Sequence, residues 1–259
     1  MNNIAINTAC YGKQDMKTIL DSVKKAGYSY VEFPAMKGIC EQVSPEMPLD
    51  EVKSLKEELD KRGLKTSGIC AIVDFTAGEE EFKYLVGCIQ LAEILGADKV
   101  ITLPGSGPDM KREAALNMLD MLLNGKNIRL ELEPVGAEWP GEAFNKVLDE
   151  GKYSNIGLNY DTANVLFFGG YDPMKDIDTC LNLIESIHLK DKIGGKGIHN
   201  FPAVGTGELP MKEIVKKLLD NGYEGVLTAE IEFTEAGPKD FQEIEDSVKL
   251  SYENICSYI

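Results

Sequence analysis

The chain has 259 residues, 43% of them apolar, and its 43 acidic and 27 basic residues give a formal charge of −16. That length and apolar share suit one globular domain with a substantial core, and the acidic surface repels phosphate backbones and anionic lipid, so neither nucleic acid nor membrane is an expected partner. No run approaches the roughly 20 apolar residues of a membrane span, and MNNIAINTACYG lacks a basic segment leading into an apolar one, so the expectation is a cytoplasmic protein.

Short β-branched runs alternate with longer segments of helical periodicity along the whole chain. IAINT (4–8) leads into DMKTILDSVKKAG, and YVEF (30–33) into LDEVKSLKEELDKRG. KTSGICAI (65–72) precedes EEEFKYLVGCIQLAEILG, and DKVITLP (98–104) precedes DMKREAALNMLDMLLNG. IRLELEP (128–134) leads to GEAFNKVLDEG, and NIGLNYD (155–161) to DPMKDIDTCLNLI. ESIHLKD (185–191) is followed, after a long loop, by LPMKEIVKKLLDNG; GVLTAEIEF (225–233) leads to DFQEIEDSVKLSYENICSYI. Gly27, Gly63, Gly125 and Gly222 stand where helices should end, as left-handed caps require. Eight strand–helix units in this length predict a single-domain (β/α)8 TIM barrel spanning 1–259. An open doubly wound sheet would need a glycine-rich turn after the first strand, and TACYGKQD does not supply one.

The six cysteines are scattered without a C-x-x-C pair. They read as reduced thiols, several of them small buried apolar residues, rather than as a structural zinc site.

Barrel enzymes carry their chemistry at the C-terminal strand ends. Strand 5 ends with Glu131 and Glu133 on one face, strand 6 with Asp161, strand 7 with His188 and Lys190 followed by Asp191, and strand 8 with Glu230 and Glu232 on one face. A lone glutamate at a strand end is usually solvated. Four consecutive strands ending in carboxylate or imidazole at one rim are different, because gathering like charges is costly without a cation. Oxygen and nitrogen donors in this mixture suit one divalent ion: Mn, Mg, Co or Zn.

These motifs resemble a known family. LELEPVG, NYDTAN, HLKD, GTGELPMKEIVKKL and GYEGVLTAEIE are similar to the xylose isomerase-like barrels, and within them to the sugar phosphate isomerase/epimerase group that includes ketose 3-epimerases and inosose-processing enzymes. The likeness covers nearly the whole chain and is sharpest over residues 128–232. It implies a divalent metal on Glu133, Asp161, His188 and Glu230, with Glu133 and Glu230 as an acid/base pair on opposite faces of a sugar or polyol. The chemistry is coherent: removing a proton beside a carbonyl needs a base and a cation for the developing enediolate charge.

Lys190, Asp191, Asn164, Glu32 and Trp139 are the candidate substrate contacts. Asp191 is alternatively a support for His188, Glu32 alternatively a structural residue, Lys190 alternatively a strand-end surface lysine, and Trp139 alternatively a loop anchor. Glu131 and Glu232 read as ion-paired or supporting groups. Two positions depart from the pattern: Asn164 stands where many members carry histidine, and KDKIGGKG offers lysines where ketose 3-epimerases carry arginine. The glycine-rich segment 192–208 is expected to close over substrate, with His199 either a contact there or simply exposed.

Three other functions share this scaffold: an inosose-type dehydratase, a non-catalytic sugar-binding barrel, and the family's endonuclease branch. The last needs a histidine-rich three-zinc cluster, and the chain has 2 histidines. The resemblance also implies a homo-oligomer, dimer or tetramer.

Overall fold

The computed structural model describes residues 3–135, 139–148 and 152–259. Eight strands, β1 (Ile4–Asn7), β2 (Tyr30–Met36), β3 (Lys65–Cys70), β4 (Lys99–Thr102), β5 (Arg129–Leu132), β6 (Ile156–Asp161), β7 (Ile184–Lys190) and β8 (Leu227–Glu230), lie side by side in chain order. All these neighbours run parallel, and β1 pairs with both β2 and β8, so the sheet closes into a TIM barrel. Helices outside and side chains inside bury both faces, which is why these strands read as apolar runs rather than alternating ones.

The helices are α1 (Met16–Ala26), α2 (Leu49–Arg62), α3 (Glu79–Leu95), α4 (Asp109–Leu123), α5 (Gly141–Val147), α6 (Pro173–Asp176), α7 (Met211–Asp220) and α8 (Phe241–Tyr258). In α7 the buried Met211, Ile214, Val215 and Leu218 fall at i, i+3, i+4 and i+7, a single stripe against the barrel. Each such side chain contributes about 1.5–3 kcal/mol by leaving water. Asp15 accepts from the Thr18 amide to cap α1, and Asp240 caps α8 through Glu243. Gly63 ends α2 at φ 63° with its amide on the Leu59 and Asp60 carbonyls, and a Cβ on Gly27 would stand 2.6 Å from the Tyr252 ring.

Two expected helices are cut short. The segment 172–184 forms one α turn and then 3-10 turns, because Asp176 turns its carboxylate onto the Gly141 amide and the Tyr160 hydroxyl instead of solvent. The segment 141–151 is helical to Val147, and residues 149–151 lie outside the described ones.

Two register shifts of one residue reset which side chains face inward. On β2–β3, Val31 pairs with Thr66 but Glu32 with Gly68; on β6–β7, Leu158 pairs with Ile184 but Asn159 with Ser186. Such irregularities re-aim side chains beside active sites. Segment 192–208 is folded against the body: Asn200–Phe201 pairs with Phe233–Thr234, the Val204 amide donates to Ser251, and Asn254 donates to the Val204 carbonyl. Among the described residues no helix is long and apolar enough to cross a membrane.

Candidate metal centre

β5, β6, β7 and β8 bring Glu133, Asp161, His188 and Glu230 to one mouth of the barrel. One ligand atom from each lies within 4.8 Å of the others, and all four side chains are buried. Glu133 sits one residue past its strand but keeps the register, its amide donating to the Thr102 carbonyl at 2.8 Å. Ligand atoms about 2.1 Å from a shared ion stand at most about 4.3 Å apart, so the four need only small movements to share one.

Hydrogen bonding gives an independent test of fit. Among the described residues ten buried side-chain polar atoms lack an aligned hydrogen-bond partner, and four of them are on these ligands: Glu133 Oε2, Asp161 Oδ2, His188 Nδ1 and Glu230 Oε2, the last two 2.8 Å apart. Buried polar atoms are rarely left so. The remaining atoms of these side chains are held: Asn164 donates to Glu133 Oε1 at 2.9 Å, and the Ala163 and Asn164 amides donate to Asp161 Oδ1 at 2.8 Å. His188 Nε2 lies 2.8 Å from Glu32 Oε1, a carboxylate that also accepts from Asn7. With a proton on Nε2, the imidazole turns Nδ1 to the cluster, the arrangement found behind many metal-bound histidines.

The charges are unbalanced. Glu32, Glu133, Asp161, Glu230 and Glu232 face one lysine and one imidazole. Burial pushes the carboxyls of Glu133 and Asp161 up, toward the protonated form. Burial acts on Glu230 in the same sense, but Lys190 and His188 beside it outweigh this and hold its carboxyl well below the usual range. For His188, burial opposes charge while Glu32, Glu230 and Glu133 overcome it and raise the imidazole. A divalent ion would supply the missing positive charge, and the donor set of three carboxylates and one imidazole suits one.

Lys190 reaches Glu232 at 2.5 Å, Glu230 at 3.4 Å and Asp161 at 3.7 Å, with Phe201 4.7 Å from its ammonium. Below the cluster the barrel is also polar. Glu131 is buried, accepts from Ser186 and faces Lys99; burial raises its carboxyl to about 7, against the pull of the lysine.

A cavity of about 750 Å³ opens over the cluster, and Glu133, Asn164, Lys190 and Glu230 reach it. Three expected substrate contacts lie elsewhere. Glu32 is fully buried behind His188 and orients that ring. Asp191 neither touches His188 nor faces the cavity; its carboxylate gathers the amides of Lys192, Gly205, Gly207 and Leu209 and so ties down the long loop. Trp139 packs on Phe144 and Arg112 beside a separate cleft between α4 and α5. His199 reaches the main cavity, edge-on to Phe201 at 4.8 Å. The aromatic wall it joins, Phe167, Phe168, Phe201 and Phe233, was not singled out from sequence. The adjacent phenylalanines of VLFFGG, placed in a loop directly after a ligand-bearing strand, were the available signal.

Comparison with known proteins agrees with this architecture. The model of the family described as xylose isomerase-like TIM barrel matches residues 20–253. A xylose isomerase-like TIM barrel protein from Mycobacterium smegmatis, solved with magnesium, superposes with a TM-score of 0.79 at 15% identity, over 100% of this chain and 96% of that one. The IOLI protein, solved with a zinc atom, gives 0.76 at 18% identity over 99% and 97%. The probable 3-DHS dehydratase AsbF of Bacillus anthracis gives 0.72 at 16% over 98% of each chain. These likenesses establish a shared fold. No curated protein sequence matches the chain.

Proposed function

The chain belongs to the xylose isomerase-like TIM barrel family, and from that premise we propose that it is a divalent-metal-dependent isomerase or epimerase that moves a proton beside the carbonyl of a ketose or related polyol. The observation that carries this reading is the coincidence of four buried donor atoms without an aligned hydrogen bond, on four side chains whose ligand atoms converge within 4.8 Å. Glu133, Asp161, His188 and Glu230 would hold the ion. When bound, the ion supplies positive charge to the substrate oxygen on which negative charge develops.

The protein's own groups do the rest. Glu133 follows β5 and Glu230 ends β8, the outer two of the four ligand-bearing strands, and both reach the cavity. One takes the proton from the carbon beside the carbonyl, and the other returns a proton to the opposite face, which inverts that centre. Asn164 fixes the Glu133 carboxylate, and Glu32 fixes the His188 ring. Lys190 stands within reach of a substrate hydroxyl or carbonyl while balancing Glu230 and Glu232.

Loss of a hydroxyl after the same first proton transfer makes the dehydratase reading, which the likeness to a probable 3-DHS dehydratase keeps in view. One experiment addresses both. Metal-free protein, reloaded with Mn²⁺ or Co²⁺ and given candidate ketoses and inososes in deuterated water, is expected to place deuterium on the carbon beside the carbonyl. Retained oxygen count marks isomerisation, and lost water marks dehydration. Exchange that is undiminished in the metal-free protein would remove the ion from the reaction.

A further inference from the structure

The cavity above the cluster is divided. Its floor is polar, with Glu133, Asn164, Lys190 and Glu230, but the rest is built largely from aromatic and aliphatic side chains. Phe167 meets Phe168 edge-on at 4.7 Å and Phe201 at 5.4 Å, so three rings form one continuous wall. Phe233 completes it at φ 61°, the one non-glycine positive φ among the described residues. A bulky residue in the left-handed region carries strain that its surroundings must impose, and here the pairing of Phe233 with Phe201 fixes it. Ile39, at the tip of the hairpin after β2, lines the mouth with 79% of its surface exposed.

We propose that the substrate is a ketose or related polyol whose metal-seeking polar head is joined to an uncharged, apolar body of about ring size, rather than a small free sugar or a sugar phosphate. This rests on the metal-centre reading above. A cavity of 750 Å³ falls in the range that encloses drug-sized ligands, roughly 300–1,000 Å³. A small free sugar would stack at most one ring face on the phenylalanines and leave much of a cavity this size, and of its wall, in water. A phosphate would need a cationic fork. Among the described residues lining the cavity the basic residues are Lys13, Lys190 and His199, with no arginine. Lys190 is committed to Asp161, Glu230 and Glu232, and Lys13 is exposed at the rim. An apolar body instead covers the wall and Ile39 and gains by removing both from water.

Hydroxamates separate the two halves of such a ligand, since both acetohydroxamate and benzohydroxamate chelate a divalent ion and only the second carries a ring. Calorimetric titration of the Mn²⁺-loaded protein is expected to give benzohydroxamate at least about tenfold tighter binding. In Phe167→Ala/Phe168→Ala protein the two should converge to within about threefold, with acetohydroxamate affinity unchanged as the sign of an intact centre. Equal affinities in the parent protein, or a gap of the same size in the double variant, overturn the proposal and leave the metal centre standing. Binding of both probes that is indifferent to Mn²⁺ overturns the metal centre and this proposal with it.

Discussion

Strands β1–β4 and β5–β8 are built alike, parallel and each backed by helix, yet they meet the mouth of the barrel with different chemistry. The last four deliver Glu133, Asp161, His188 and Glu230 to one point. The first four deliver one carboxylate to that centre, Glu32, which reaches it only through the His188 ring. Otherwise they contribute cavity wall: Cys10, Ile39 and Cys70 follow or end β1, β2 and β3. The difference teaches that the fold sets the rim and leaves its charge free. Concentrating like charges on one half lets a single cation answer all of them.

Removing the charge from the second half should have the largest effect. Glu230→Gln is expected to lower turnover by about 10²–10⁴ while the circular dichroism spectrum stays native; activity within a few-fold of the parent would take Glu230 out of the mechanism. Next comes the single strut from the first half. Glu32→Gln should weaken metal binding by about 10–100-fold, measured by competition with a chelating dye. An unchanged affinity would mean that the two halves are not coupled through His188.

The seam beneath the centre, where Lys99 of β4 faces Glu131 of β5, offers a third probe. Burial raises the Glu131 carboxyl from 4.5 to about 7. A raised carboxyl binds its proton more tightly in the folded state. The resulting stability is therefore full below pH 4.5 and fades as pH rises through 7. Glu131→Gln should flatten the melting temperature of metal-free protein across that window, by an amount equivalent to about 3 kcal/mol; an identical slope in both proteins would sink the assignment. Smallest is the wall itself. Asp191→Asn keeps one acceptor for the four loop amides but loses its charge, which should cost about 1 kcal/mol in urea unfolding. Faster amide exchange confined to 192–208 would accompany it, and exchange unchanged there would show that the loop is held without Asp191.

Much of this was legible in the sequence. Eight apolar runs separated by amphipathic segments, with Gly27 and Gly63 at helix ends, specify strand and helix through local sterics and periodicity, and their strict alternation specifies a closed parallel barrel. Glu133, Asp161, His188 and Glu230 were readable as strand-end residues because period-two alternation assigns a face. Where a face alone does not decide, the chain order falls silent. Glu32 and Asp191 look like further mouth residues, yet a one-residue register shift beside Glu32 turns its carboxylate onto His188, 156 positions away in the chain, and the loop amides fold back onto Asp191. The aromatic wall is assembled from loops after β6, β7 and β8, and the helix 172–184 yields to 3-10 turns because Asp176 finds partners on other elements. Local propensity thus wrote the elements and their inward faces. Only the packed chain decided which buried charges meet, because that depends on distances set by closure of the whole barrel.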